Sequence, residues 1–271
     1  MLTLIRQAFI LILLSPQLLQ ATLNIPAPDL RELTDDVATT AGVPARSASA
    51  AVCEDFNRLN SLIRDGKIHK DAAKRVLVTL LDRVRNEYYL RGGRDFQPSA
   101  WAFPLAGYDI RSIDTGRQHG FSASGYDFFS GNRHGGHPAL DLFIHDRDQD
   151  SRDDQTGKPV AVLSMTGGVV VALEREWSSD SGLRGGKYLW IYDPANQLLV
   201  YYAHNQELLV DIGTIVKPGD LLARVGRSGL NAAKKRSPTH LHFSVLQLRN
   251  GLPIARNVYK ELVDARVLEA R

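Results

Sequence analysis

Two histidines, His240 and His242 in "THLHFSVLQL", stand at alternate positions in a run that is otherwise apolar and β-forming. In an extended chain, residues two apart point to one face. Both imidazoles therefore look out together, while Leu241 and Phe243 point the other way. A second pair, His137 and Asp141 in "HPALD", is four apart and shares a face if that stretch is extended too. Zinc accepts imidazole nitrogen and carboxylate oxygen, and a catalytic site takes three protein ligands and leaves the next position to water. His137, Asp141 and one histidine of the later pair make such a set. The remaining histidine, with His204 in "YYAHN", is then free for acid–base work.

Other residues cluster around these pairs. His134 lies seven before Asp141, an odd spacing that puts it on the opposite face of a strand and makes it a candidate for the rim of the site. His145 lies four beyond Asp141 and shares its face if the strand continues, which makes it a candidate supporting partner. Of Tyr201 and Tyr202, one should face the groove and the other the core, and Tyr202 is the rim candidate. In "HDRDQDSRDD" the carboxylates of Asp146, Asp148 and Asp150 alternate, with Asp154 close behind. That start resembles an oxygen-only calcium loop, so these four are candidate Ca2+ ligands. Ser151 stands where an EF-hand needs Gly and Gly157 where it needs Glu, so the loop is not an EF-hand. "KKR", Lys234 to Arg236, places a basic run just before the H-x-H strand.

The elements that must position these groups divide the chain in four. Residues 1–21 carry Arg6 ahead of a short apolar run, the layout of a signal peptide or an N-terminal anchor. Residues 22–95 are helical. "SASAAVCEDFNRLNSLIRDGKI" has Val52, Phe56, Leu59 and Ile63 at spacings of three and four, and "KDAAKRVLVTLLDRVRNEYYLRGG" repeats the pattern, so an amphipathic hairpin is predicted. Such a hairpin contains no catalytic constellation and is a scaffold or a docking element for a protein partner. Short β-rich runs separated by Gly, Pro, Asn and Asp fill 96–257, with linkers too short for crossover helices. "YKELVDARVLEAR" reads as a C-terminal helix over 258–271. The fold class is therefore α+β, a helical hairpin followed by a mainly antiparallel sheet.

With 271 residues, 44% hydrophobic and 23% charged, the chain is ordinary globular material. A formal net charge of +3 is far from a nucleic-acid-binding signature. Cys53 is the single cysteine, which excludes an intramolecular disulfide and a cysteine-rich zinc module.

The order H-x-x-x-D, Y-x-H, H-x-H-F resembles the lysostaphin- and LytM-type zinc endopeptidases of bacterial peptidoglycan. "GKPVAVLSMTGGVVVALE" and "VDIGTIVKPGDLLARVGRSG" are similar to the strands and the Gly-rich turn of that family, and the resemblance covers roughly 101–248. It implies a LytM-like peptidase domain with one catalytic Zn2+ held by His137, Asp141 and His242, and with His204 and His240 as the catalytic histidines. His240 is then the base and His204 the oxyanion stabiliser. The family usually has Gly where Ala139 stands, a change that removes no ligand. His134 to Asp141 matches the H-x6-D of the related D-Ala-D-Ala peptidases, but the Glu-x-x-His those enzymes need is missing. The implied activity is hydrolysis of stem or cross-link peptides by an exported enzyme of the periplasm or cell envelope, tethered to the membrane if the N-terminal segment is retained. Two other expectations stand beside it: a non-catalytic relative that binds wall or activates an amidase, and a zinc peptidase acting on proteins.

Overall fold

The computed structural model describes residues 48–269, which lie in one compact unit. The expected export segment, residues 1–21, and the first part of the expected helical region, residues 22–47, fall outside those residues. Among the described residues no helix is long and apolar enough to cross a membrane.

Two helices, α1 (Ala48–Arg64) and α2 (Lys70–Leu90), form the hairpin that the apolar spacing predicts. Val52, Phe56, Leu59 and Ile63 of α1 are buried against Leu77, Leu81 and Val84 of α2. Nine strands follow: β1 (Leu140–Phe143), β2 (Ala161–Leu163), β3 (Gly168–Glu174), β4 (Lys187–Asp193), β5 (Leu198–Leu208), β6 (Ile215–Val216), β7 (Leu221–Val225), β8 (His240–Arg249) and β9 (Leu252–Arg256). They form one antiparallel sheet in the order β1-β8-β5-β4-β3-β6, with β7 joining β2 to β5 and β9 pairing with β8.

Alternation sorts the side chains of this sheet into two layers. Leu241, Phe243 and Val245 of β8, Val200 and Tyr202 of β5, and Leu140 and Leu142 of β1 enter one core with Trp101 and Phe103. Tyr188 and Trp190 of β4, Leu199 and Ala203 of β5, and Leu246 and Leu248 of β8 face the other way, toward α1 and α2. The helical hairpin is thus not a detached module. It covers part of the sheet face that also presents His242, and leaves the rest of that face open.

The C-terminal helix is shorter than its periodicity predicts. It runs only over α3 (Tyr259–Asp264), and Ala265 is already extended. The chain beyond is captured by residues 101–107: Arg266 exchanges backbone hydrogen bonds with Trp101 and Phe103, and the Gly107 N–H donates to the Leu268 carbonyl at 2.8 Å. Interstrand bonding to a buried segment outweighs the helical preference of an exposed tail.

Tyr202 belongs to the core rather than to any rim, which corrects the sequence expectation. It is fully buried, and its hydroxyl accepts the Met165 N–H at 2.9 Å. Tyr202→Phe should cost about 1–3 kcal/mol in denaturant unfolding, because it orphans a buried N–H. A variant as stable as the parent would contradict this placement.

Candidate metal centre and groove

β1 and β8 pair in a register that sets Asp141 opposite His242 and Phe143 opposite His240. The alternation read from the sequence therefore places both β8 imidazoles over the Asp141 carboxylate. The Asp141 Oδ1 lies 3.0 Å from His242 Nδ1 and 3.8 Å from His240 Nε2. His137 arrives differently than predicted. It is not on β1 but in an isolated bridge to Ser122, and its Nε2 comes within 3.2 Å of Asp141 Oδ2. One donor atom from each of His137, Asp141 and His242 lies within 4.8 Å of the other two.

His204 reaches the same place through an irregularity. By alternation it would follow Tyr202 into the core. Instead it has φ +66°, a left-handed conformation uncommon outside glycine, at a register shift between β5 and β4. Such a bulge inserts one residue and re-aims the side chains beyond it. The His204 ring turns to the groove face, with ring centroids 5.0 Å from His240 and 5.4 Å from His242. Tyr201, not Tyr202, is the tyrosine lining the groove beside them. Gly229 permits the close approach of the loop after β7: at its φ of +113° a Cβ would sit 2.7 Å from His204 Nδ1.

Backbone carbonyls fix the tautomers. His137 Nδ1 contacts the Gly120 carbonyl at 2.9 Å, His204 Nδ1 that of Ser228 at 2.8 Å, and His240 Nδ1 that of Pro238 at 2.8 Å. A carbonyl oxygen only accepts, so each Nδ1 carries the proton; neutral His204 and His240 then keep a lone pair on Nε2, whereas His137 in the metal-free protein donates from Nε2 to the Asp141 carboxylate. Burial opposes the charge on Asp141, but hydrogen bonds from His137 and His242 hold its carboxyl well below the usual carboxylate range. His137 is raised by its bond to Asp141. Burial, followed by the neighbouring His242 and His240, pushes His204 well below the ordinary imidazole value. Burial also lowers His242, against the pull of Asp141.

The His204 shift has a consequence for chelator-stripped protein. Below the ordinary value of 6.5 the unfolded chain binds a proton at this residue and the folded chain does not. Stability should therefore fall as pH drops below about 6.5. His204→Asn, which suits the left-handed backbone, should flatten that part of the pH profile in thermal melts. Equal slopes in both proteins would contradict the assignment.

These groups line a pocket of about 330 Å3. His134 lines it too, edge-on to Tyr126. Sequence reasoning missed the wall contributed by α1: Asn60 and Arg64 line the pocket and donate to the Tyr188 hydroxyl at 3.0 and 3.2 Å. Helical periodicity marks only the buried face, so nothing in it distinguishes a groove wall from a solvated surface. Arg184, whose role is equally silent in the sequence, lines the pocket from the loop before β4.

Two sequence candidates lie elsewhere. β1 ends at Phe143, so His145 does not continue its face; it sits beside the Tyr108 hydroxyl and Asp153, outside the pocket lining. In the acidic loop Asp146, Asp148 and Asp154 approach one another, but Asp150 is not in the group. Asp146 accepts the N–H groups of Asp150 and Ser151 from its own loop and the hydroxyl of Thr239, the residue before β8, which account for its burial without a cation. His119 stacks on Tyr259, and His69 caps α2.

The sequence profile of Peptidase family M23 matches residues 153–255. No curated protein matches the chain. Among solved structures, the chain is similar to a candidate glycyl-glycine endopeptidase LytM from Ruminococcus gnavus, at 24% identity over 70% of this chain and 72% of that one, with a TM-score of 0.41. A zinc-containing peptidase from Vibrio cholerae is 22% identical over 60% of this chain and 39% of that one, with a TM-score of 0.37. The antimicrobial peptidase lysostaphin from Staphylococcus simulans is 18% identical over 59% and 53%, with a TM-score of 0.36. The chain thus spans less than half of the Vibrio protein and about half of lysostaphin. The part of the chain similar to peptidase family M23, residues 153–255, holds His204 and the two β8 histidines.

Proposed function

We propose that this chain is a zinc-dependent endopeptidase that hydrolyses peptide bonds in bacterial peptidoglycan. The observation that carries the reading is the convergence of His137, Asp141 and His242 donors within 4.8 Å, beside two further imidazoles in one groove. Two nitrogens and a carboxylate oxygen suit Zn2+, and the Gly120 carbonyl behind His137 is the usual outer support of a metal-binding imidazole. When bound, such an ion supplies an activated water and polarises the peptide carbonyl. The remaining chemistry belongs to the chain. His240, with its Nε2 lone pair toward the Asp141 carboxylate, accepts the water's proton. His204, across from it, takes part once its own Nε2 is protonated, as donor to the developing oxyanion or to the leaving amine. The likeness of residues 153–255 to peptidase family M23 supports peptide hydrolysis, and the mildly basic chain suits an anionic polymer.

Purified peptidoglycan incubated with the zinc-loaded protein should release soluble fragments whose masses show one water gained per peptide bond cut. Peptidoglycan left intact while a protein substrate is cleaved would redirect the reading. The Arg6-led apolar segment supports export to the cell envelope; recovery of the chain only from the cytosol, starting at Met1, would end that part.

A further inference from the structure

Apart from the histidines, the groove lining carries three charged side chains, Arg64, Arg184 and Asp141. Two of the three are neutralised within the fold. Arg64 pairs with Asp65 and Glu174, each at 2.7 Å, and Asp141 lies among histidines. Arg184 has no carboxylate partner among the described residues. One of its terminal nitrogens donates to the His134 carbonyl at 2.8 Å and to the Asn132 carbonyl at 3.4 Å. A guanidinium carries five N–H donors in a rigid fork, so most of this one is unspent.

A partly buried cation without a counter-charge is costly, and a fold tolerates it where an anion will visit. The position is adjacent to the chemistry. The carbonyl of the next residue, Gly185, accepts the His204 N–H at 3.0 Å, and Gly229 separates the Arg184 carbonyl from the His204 ring. Apolar and aromatic neighbours, Leu183, Tyr126 and Tyr201, line the pocket with it and keep the local dielectric low. At the Asn231 and Ala232 side of the pocket, the exposed Lys234, Lys235 and Arg236 repeat the sign of the charge.

We propose that Arg184 is the groove's carboxylate receptor, selecting peptide substrates that carry an ionised carboxylate close to the bond to be cut. The proposal deepens the peptidase reading and rests on it for the word substrate, but the binding preference stands or falls by itself. Planar guanidinium and carboxylate meet through two parallel hydrogen bonds, which lysine cannot reproduce. The carboxylate can be a side chain or a peptide's C-terminus.

The test uses the zinc-loaded full chain and four synthetic peptides of one sequence, with Glu or Gln inside and a free or amidated C-terminus. Binding is read from the fluorescence of Trp190, which lines the groove, and cleavage by mass spectrometry of the same samples. The wild type should bind at least one acidic peptide about tenfold more tightly than the fully neutral one, and the Glu and C-terminal arms identify which carboxylate counts. Arg184→Gln should erase that preference without weakening the neutral peptide, and Arg184→Lys should restore part of it. Equal binding of all four peptides by the wild type overturns the proposal. So does an Arg184→Gln variant that weakens all four alike, since that marks a role only in holding the His134 and Asn132 carbonyls. Should Arg184→Gln not fold, the wild-type comparison and Arg184→Lys still decide. A preference without cleavage of any peptide or of peptidoglycan would sink the peptidase reading and leave the carboxylate receptor intact.

Discussion

Asp141→Ala should lower peptide hydrolysis by at least about 10³-fold, since the proposed mechanism draws roughly 4 kcal/mol or more of transition-state stabilisation from an ion that this carboxylate would help to hold. Asp141 is the hub of the site: one oxygen meets His137, and the other faces His242 and His240. Its removal takes away the negative charge that makes a divalent ion welcome between two imidazoles. It also leaves three histidines facing one another with no counter-charge. The sheet should survive, because Leu140 and Leu142 on the opposite face carry the packing of β1. Circular dichroism should therefore be unchanged while rate and metal content fall together. Loss of rate with full metal content would mean that the ligands lie elsewhere.

His240→Ala should separate the two properties. This ring lies beyond the His137, Asp141 and His242 group, so metal content should persist, while hydrolysis falls about 10²–10⁴-fold with the loss of the proposed proton acceptor. The residual rate should rise with pH as solvent hydroxide replaces the missing base. A variant that keeps wild-type kcat would place the base at His204, whose tautomer is fixed in the same way by the Ser228 carbonyl.

The local periods carried much of this architecture. Val52, Phe56, Leu59 and Ile63 announced a helical face that is buried as expected, and the alternation around His240 and His242 held because β8 is regular there. Where the backbone departs from regularity, alternation misleads. Tyr202 and His204 should share a face, yet the left-handed bulge at His204 sends one to the core and the other to the groove. No residue type near His204 signals that bulge in advance; the unusual conformation is sustained by the surrounding hydrogen bonds to Gly185 and Ser228. His145 failed for a related reason, since a strand's end is set by pairing, and β1 pairs only over four residues. The α1 wall was illegible because it depends on contacts such as Asn60 to Tyr188, 128 residues apart in the chain. The C-terminal segment repeats the lesson, as a helical pattern gave way to backbone bonding with residues 101–107.

Metal analysis of the full chain purified without chelator, and reloaded with zinc after stripping, tests the account most directly. About one zinc per chain is expected, falling to near zero in His137→Ala, Asp141→Ala and His242→Ala alike, while the Asp148→Ala variant in the acidic loop keeps its zinc. Zinc retained undiminished in those three variants, or never bound by the wild type, would contradict the convergence of these side chains on a single ion.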